Sequence, residues 1–148
     1  MREIKFRAWD KENQRLYEVV GISYEDNGDV LAWRKPYENE NVNWCTYGLK
    51  VGEEAELIQY TGSKDINGRE IYEGDLYKYT ISHDMYNPES GHTTFEIERV
   101  KAVTFENGAF YHGNDLLADV IEHDDSFTYV GNIYENPELL EGDSIENQ

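Results

Sequence analysis

Cysteine is nearly missing from this sequence, with Cys45 the only example among 148 residues. A lone thiol cannot close an intramolecular disulfide, which excludes a disulfide-stabilised fold, and it provides no cysteine pair for a zinc site. No histidine lies near Cys45 in the sequence. We therefore expect Cys45, beside Trp44, to be a small core residue rather than a catalytic thiol.

Long apolar runs are also absent, because the longest contains only four residues, Val30 to Trp33. A membrane-spanning helix needs about 20 consecutive apolar residues. Residues 1–7 alternate charged and apolar side chains, which is unlike the continuous apolar stretch of a signal peptide. The sequence therefore predicts a cytoplasmic protein without a membrane as partner.

Basic residues are scarce. Lys and Arg number 13 against 31 Asp and Glu, for a net charge of −18. Nucleic-acid affinity depends mainly on cations that neutralise phosphates, so this balance disfavours direct nucleic-acid binding. The imbalance is concentrated in residues 57–148, which hold 5 basic and 19 acidic side chains, whereas residues 1–56 hold 8 and 12.

Aromatic residues are plentiful, with 12 Tyr, 3 Trp and 5 Phe spread along the chain. Each ring buries a large area, and together they can supply the core that the few aliphatic residues do not. We therefore expect a folded protein.

The local pattern is alternation with a period of two residues, which is typical of β-strands. Three Asn-Gly dipeptides, at residues 27–28, 67–68 and 107–108, predict hairpins with type I′ turns. The predicted strands cover residues 4–9, 16–24, 30–34, 56–61, 75–82, 94–105, 109–112, 116–121 and 127–134, with an exposed loop at 83–93.

These signals predict an all-β, mainly antiparallel fold in two parts. Residues 1–55 form an N-terminal β subdomain that ends in a variable connector, and residues 56–141 form a small SH3-like barrel. A short C-terminal helical turn begins at Asn136, with Asn136 as its N-cap and Pro137 in its first position. Residues 142–148 are a frayed tail.

Three segments carry a family resemblance. They are residues 4–10 (IKFRAWD), 59–75 (QYTGSKDINGREIYEGD) and 130–140 (VGNIYENPELL). Their order and spacing resemble the YopX family of phage and prophage proteins over nearly the whole chain. The resemblance implies a viral origin and a predominantly β fold. It implies no assigned activity, and no catalytic, cofactor-binding or metal-binding residue transfers from it.

Candidate metal ligands occur in two runs, His83-Asp84 and His123-Asp124-Asp125. Adjacent residues on a strand point to opposite faces, so neither run is a good chelate unless two loops converge. Residues 26–29 (DNGD) are similar to part of a calcium loop, but the twelve-residue spacing with its terminal Glu is missing. We therefore assign no catalytic, cofactor or metal residues, and we expect no cofactor.

Two surfaces could bind a partner. Trp9, Trp33, Tyr86 and Tyr129 could form an aromatic binding surface, although such residues are more often core or cross-strand pairs. The first fifteen residues are richer in cations than in acids, and this basic edge could meet the acidic part of a second copy. Its members are Arg2, Lys5, Arg7, Lys11 and Arg15.

The leading functional hypothesis is a non-enzymatic protein-interaction module of phage or prophage origin, whose partner is a second copy or a host factor. One alternative is an acidic nucleic-acid mimic that occupies the basic groove of a host protein. A second is a metal-dependent hydrolase that uses the His and Asp runs. A third is direct nucleic-acid binding by a barrel face.

Overall fold

The described part of the chain is mostly antiparallel β, with 57% of its residues in strands and 7% in helices, which confirms the predicted fold class. The computed structural model describes residues 3–41 and 46–140. Contacts divide the chain into a first unit that ends at Gly62 and a second unit that starts at Ser63. The sequence prediction placed this boundary between residues 55 and 56. Residues 57–62 carry no charge, so the second unit keeps the 19 acidic and 5 basic residues counted above.

The first unit contains two antiparallel sheets. Its strands are β1 (Phe6–Asp10), β2 (Arg15–Glu18), β3 (Gly21–Tyr24), β4 (Val30–Arg34), β5 (Tyr47–Lys50) and β6 (Ala55–Lys64), whose last residues enter the second unit. β1 pairs with β2 and β6, and β4 pairs with β3 and β5. The predicted strand at 16–24 is two strands, because Val19 donates to the carbonyl of Phe6 while Val20 donates to that of Trp33.

A small core of mostly small residues lies in the first unit. Its buried members are Ala8, Tyr17, Ala32 and Ala55, and partly buried residues such as Leu49 and Leu57 pack against them. Alanines let the backbones approach closely, and Tyr17 supplies most of the buried area.

The second unit is built around a five-stranded sheet in the order β11-β10-β9-β8-β12. Its elements are β7 (Glu70–Tyr72), β8 (Asp75–Asn87), β9 (Gly91–Glu106), β10 (Ala109–His112), β11 (Asp115–Leu116), α1 (Leu117–His123) and β12 (Thr128–Asn132). The core consists of Ile71, Tyr77, Val103, Leu117 and Phe127. One sheet of the protein curls into a half-barrel, and closure into an SH3-like barrel stays a prediction.

Two predicted segments differ from the structure. Of the strand predicted at 116–121, only Leu116 lies in a strand, and residues 117–121 lie in α1, because Leu117, Val120 and Ile121 have the i, i+3, i+4 spacing that places them together on the core. Residues 83–93 form the ends of β8 and β9 and the turn between them rather than a loop. The backbone ladder continues there without any burial, so no apolar alternation marks it in the sequence.

All three Asn-Gly dipeptides lie in hairpin turns, but only Asn107-Gly108 has positive φ at both residues, as a type I′ turn requires. At the other two, only the glycine has positive φ, and its N–H donates to the carbonyl three residues earlier, in Glu25 or Asp65. This is the three-residue hairpin loop, in which a type I turn precedes a left-handed glycine.

The end of β1 is held by a buried carboxylate. Asp10, only 2% exposed, accepts hydrogen bonds from the backbone of Glu12 and Asn13 and one of 2.9 Å from the Tyr37 hydroxyl. Arg34 lies beside it, with Nε 3.9 Å from Asp10 Oδ2. Burial by itself would raise the pKa of Asp10, but the bonds from Asn13 and Tyr37 and the charge of Arg34 lower it below 3.8.

Arg34 is fixed from several sides. Its two terminal nitrogens each donate 3.0 Å bonds to Glu40, and its guanidinium lies 3.7 Å from the centre of the Tyr37 ring. Because Arg34 is itself buried, these contacts compensate for the loss of its hydration. The predicted first strand therefore ends in a structural ion cluster.

The C-terminal segment is held by Asn132. Its side-chain oxygen accepts hydrogen bonds from the backbone of Tyr134 and Glu135, which closes a tight turn after β12. Residues 138–140 are helical, which confirms the predicted turn. The Asn136 side chain accepts from the N–H of Asn132 instead of capping the helix.

Gly131 leaves no room for a side chain. A Cβ there would clash with the side chain of Asn136, and the φ of Gly131 is +153°. We expect Gly131→Ala to lower the free energy of unfolding by about 2–4 kcal/mol, since the Asn136 contact must break. Gly108→Ala, with φ +81° and open space around it, tests the backbone cost alone, about 1 kcal/mol. Equal losses in urea titrations of both variants would contradict the steric explanation.

The Tyr37 hydroxyl should stabilise the first unit through the ionised Asp10. We expect Tyr37→Phe to cost about 1 kcal/mol at pH 7 in urea unfolding. The pKa of Asp10 is lower in the folded protein than in the unfolded chain, so its ionised carboxylate stabilises the fold fully above pH 3.8. This stabilisation is lost as the pH falls through the pKa of the folded state. The cost of Tyr37→Phe should therefore shrink below about pH 4. Tyr24→Phe, at an 81% exposed tyrosine, is the control and should change nothing.

Candidate interaction surface

The two predicted His and Asp runs lie on different elements of the second unit. His83 and Asp84 point to opposite faces of β8, where His83 stacks on Phe95 and Asp84 accepts a 2.7 Å bond from Thr94. At the end of α1, the ring of His123 contacts the carbonyl of Asp119 at 3.0 Å. Within residues 3–41 and 46–140, no three His, Cys, Asp or Glu side chains are grouped to hold a metal ion.

The four predicted surface aromatics differ in their exposure and contacts. Tyr86 is 68% exposed. Trp33 is half-buried and donates to Ser23 Oγ at 2.9 Å, and Tyr129 is covered by the guanidinium of Arg69 at 3.4 Å from the ring centre. Trp9 is half-buried in β1. Cys45 and Trp44 lie outside the described residues.

The predicted basic edge has partners within the first unit. Lys5 pairs with Glu3 at 3.2 Å, and Lys11 with Glu56 at 3.1 Å. Arg15 donates to Asn39 Oδ1 at 3.3 Å and covers one side of the Tyr37 ring at 4.2 Å. Arg2 lies outside the described residues. Lys5, Lys11 and Arg15 therefore already have partners within the first unit. The contact of the basic edge with a second copy stays a prediction.

The second unit has a long exposed feature, the distal part of the β8–β9 hairpin (residues 81–97), here called the arm. β8 and β9 pair continuously from Leu76↔Ala102 to Asn87↔Gly91. Apart from Gly91, every residue from 82 to 96 is exposed. The arm therefore lies away from the core of the second unit, as a two-stranded ribbon with solvent on both faces.

The two faces of the arm differ. Because side chains alternate along a strand, one face carries the cross-strand pairs Ile81↔Ile97, His83↔Phe95 and Met85↔Thr93. The opposite face carries Ser82↔Glu96, Asp84↔Thr94 and Tyr86↔His92. Met85 and Phe95 are 60% and 40% exposed. The first face, here called the apolar face, exposes Met85 and Phe95 beyond the half-buried pair Ile81 and Ile97.

The edges of the arm are open as well. In the part of the chain that the structure describes, β12 pairs with β8 only between Asp75 and Lys78, and β10 pairs with β9 only between Val103 and Glu106. Beyond these ranges each strand of the hairpin has the other as its strand partner. The arm thus presents backbone donors and acceptors that an incoming strand could pair.

A second feature of this unit is a cleft of about 430 Å³ beside β10. Its wall includes Tyr79, Lys101, His112, Asp115 and Asp124. His112 is 4% exposed, and its Nε2 lies 3.2 Å from the carbonyl oxygens of both Tyr77 and Lys101. Carbonyls only accept, so Nε2 carries the hydrogen. Sequence reasoning did not single out His112, since only the fold shows that its ring is buried.

Burial lowers the pKa of His112 below 6.5, although the two carbonyls and the charges of Asp124 and Asp115 oppose this shift. We expect nitrogen NMR to show a neutral ring protonated at Nε2 at pH 7. Because His112 binds a proton less readily in the folded state than in the unfolded chain, it should lower the free energy of unfolding as the pH falls below about 6.5. Protonation on Nδ1, or titration above 6.5, would contradict this assignment.

No helix of the described residues is long and apolar enough to cross a membrane. Comparison with solved structures finds a similar chain, protein EF1440 from Enterococcus faecalis, at 24% identity and a TM-score of 0.58. The match covers 95% of this chain and 99% of that one, and it supports the fold alone. No curated protein matches the sequence.

The family segments have structural roles in the fold. Asp65 accepts from the backbone of Asn67 and Arg69 and from the Tyr77 hydroxyl, and Gly74 binds Val103 and Ile133 through its backbone. The model of the YopX protein family matches residues 5–141 and so includes nearly all of these segments. The chain therefore belongs to the YopX family.

Proposed function

We propose that this chain is a non-enzymatic protein-interaction module of phage or prophage origin, and that it acts in the cytoplasm of the host cell through the arm. One observation supports the proposal: the arm exposes both its apolar face and the unpaired edges of its two strands. The partner is a host factor or a second copy of the chain.

The arm has little internal stabilisation. An isolated two-stranded hairpin is marginally stable in water, because it buries too little apolar area. The stacked His83 and Phe95 rings and the Tyr86 and His92 rings, with centroids 5.7 and 5.2 Å apart, help to hold the strands in register. A partner that covers Met85 and Phe95 would add the apolar burial that the arm lacks.

Two modes of contact are available on the arm. An extended segment of the partner can add as a third strand to an open edge, where backbone hydrogen bonds provide affinity. The apolar face can anchor side chains of the same partner and provide specificity. Both modes need the ribbon as a preformed template, which the continuous ladder provides.

The second candidate function is nucleic-acid mimicry, which the concentration of 19 acidic against 5 basic residues in the second unit favours. A mimic presents carboxylates where a nucleic acid presents phosphates, and its binding weakens steeply with salt. Arm-mediated binding depends mainly on apolar contact and tolerates salt.

The two candidates differ in what an arm variant does. We expect the double variant Met85→Ser, Phe95→Ser to lower affinity for the partner recovered from host lysate by about tenfold, since two exposed apolar anchors are lost. The matched control is Asp84→Asn, Glu96→Gln on the opposite face, which should change affinity less than twofold. Binding of the purified partner to each variant at 0.1 M and 0.5 M salt gives the comparison.

The outcomes separate the proposals. Loss of binding only in the apolar-face variant supports the arm, and light scattering of the same variant shows whether the partner is a second copy. Binding that survives in that variant but disappears at 0.5 M salt contradicts the arm and supports the mimic. Circular dichroism confirms that each variant keeps its strands.

A further inference from the structure

The three Asn-Gly dipeptides carry the same pair of reactive groups. The backbone nitrogen of a glycine can attack the side-chain amide carbon of the asparagine before it, because glycine has no side chain to hinder the approach. The pairs are Asn27-Gly28, Asn67-Gly68 and Asn107-Gly108. All six residues are exposed, and a Cβ added at any of these glycines would meet nothing within 4 Å. Access to water therefore does not distinguish the three sites.

Hydrogen bonds restrain two of the sites. The N–H groups of Gly28 and Gly68 donate to the carbonyls three residues earlier, at 3.0 and 2.9 Å. In the first hairpin, Asn27 Oδ1 also accepts from the N–H of Asp29, and Asn27 Nδ2 donates to the Asp29 carboxylate, both at 3.0 Å. The attacking nitrogen must lose its proton and approach the side-chain amide, so a bond to either group opposes the reaction.

The third site lacks these restraints. Among the residues that the structure describes, none accepts a hydrogen bond from the Gly108 N–H, and none is bonded to the Asn107 side chain. The turn closes through the pairing of Ala109 with Glu106, which involves neither reacting group. Asn107-Gly108 is therefore the dipeptide of the three whose reacting groups no described hydrogen bond holds.

We propose that Asn107 is a site of spontaneous deamidation in the folded protein. The Gly108 nitrogen, after losing its proton to the solvent, forms a bond to Cγ of Asn107, and the side-chain amide nitrogen takes up a proton and leaves as ammonia. Water then opens the resulting succinimide ring. Attack of water at Cγ gives aspartate, whereas attack at the backbone carbonyl carbon gives isoaspartate, whose main chain runs through the former side chain. Either product adds one carboxylate, and no oxidant or reductant takes part.

The inference goes beyond the proposed function and does not depend on the arm. The turn joins β9 to β10 and sets the rings of Phe105 and Phe110 5.0 Å apart between centroids. Isoaspartate adds a main-chain carbon to this two-residue turn and so disturbs the pairing of Ala109 with Glu106. Aspartate keeps the length of the main chain and changes only the charge. The two products therefore differ in the geometry of the turn.

The test incubates the whole protein at mildly alkaline pH and follows the three sites by peptide mapping, in which mass spectrometry separates asparagine, aspartate and isoaspartate. We expect Asn107 to deamidate about fivefold or more faster than Asn27 and Asn67, since breaking one neutral hydrogen bond reduces the reactive population by about that factor. In a parallel sample unfolded in urea, the three rates should become similar, because the turns that distinguish the dipeptides are lost.

Two matched variants give a second measurement. Asn107→Gln keeps a side-chain amide but would need a larger and less favourable ring, so the main acidic species that ion exchange detects in the aged protein should disappear. Asn67→Gln should leave that species unchanged. The inference is overturned if Asn107 reacts no faster than Asn67 in the folded protein, if the ratio of their rates is the same in urea, or if the acidic species persists in Asn107→Gln.

Discussion

The hydrogen bond from the buried Tyr77 hydroxyl to Asp65 joins the parts of the second unit. Tyr77 is fully buried, stacks on Phe127 at 4.0 Å and offers its backbone carbonyl to His112. One residue thus connects the hairpin turn before β7, the segment that leads into β12, and β10. Burial and the neighbouring Asp65 raise the pKa of Tyr77, so its hydroxyl remains a donor across the physiological range. The arm and the cleft beside β10 are both formed in part by β8, the strand that carries Tyr77.

Much of the fold follows from local patterns. Period-two alternation and the Asn-Gly dipeptides predict an antiparallel β protein because both reflect backbone geometry that a short segment sets by itself. The α1 helix was missed because a segment with five apolar residues in six, such as 116–121, fits a strand as well as a helix until the core position is known. The arm was missed for the opposite reason: a ribbon exposed on both faces needs no apolar alternation.

The candidate surfaces were harder to predict than the fold. His112 matters through two backbone carbonyls from β8 and β9, and such contacts between distant segments leave no signature in the sequence. The His83 and His123 runs were visible but the fold does not bring three ligands together around either within the described residues. Tyr86 was among the predicted aromatics and lies on the arm, whereas Trp33 and Tyr129 serve packing. Exposure, which separates these roles, is a property of the folded chain.

The open edges of the arm also bear on solubility. Unpaired strands with aromatic side chains are templates for edge-to-edge growth, and natural proteins block such growth with charge. The arm carries Asp84, Glu89 and Glu96 within 13 residues, on a chain with a net charge of −18. Repulsion between identical arms therefore opposes open-ended, edge-to-edge growth at neutral pH. The acidity of the chain thus also limits aggregation through an exposed ribbon.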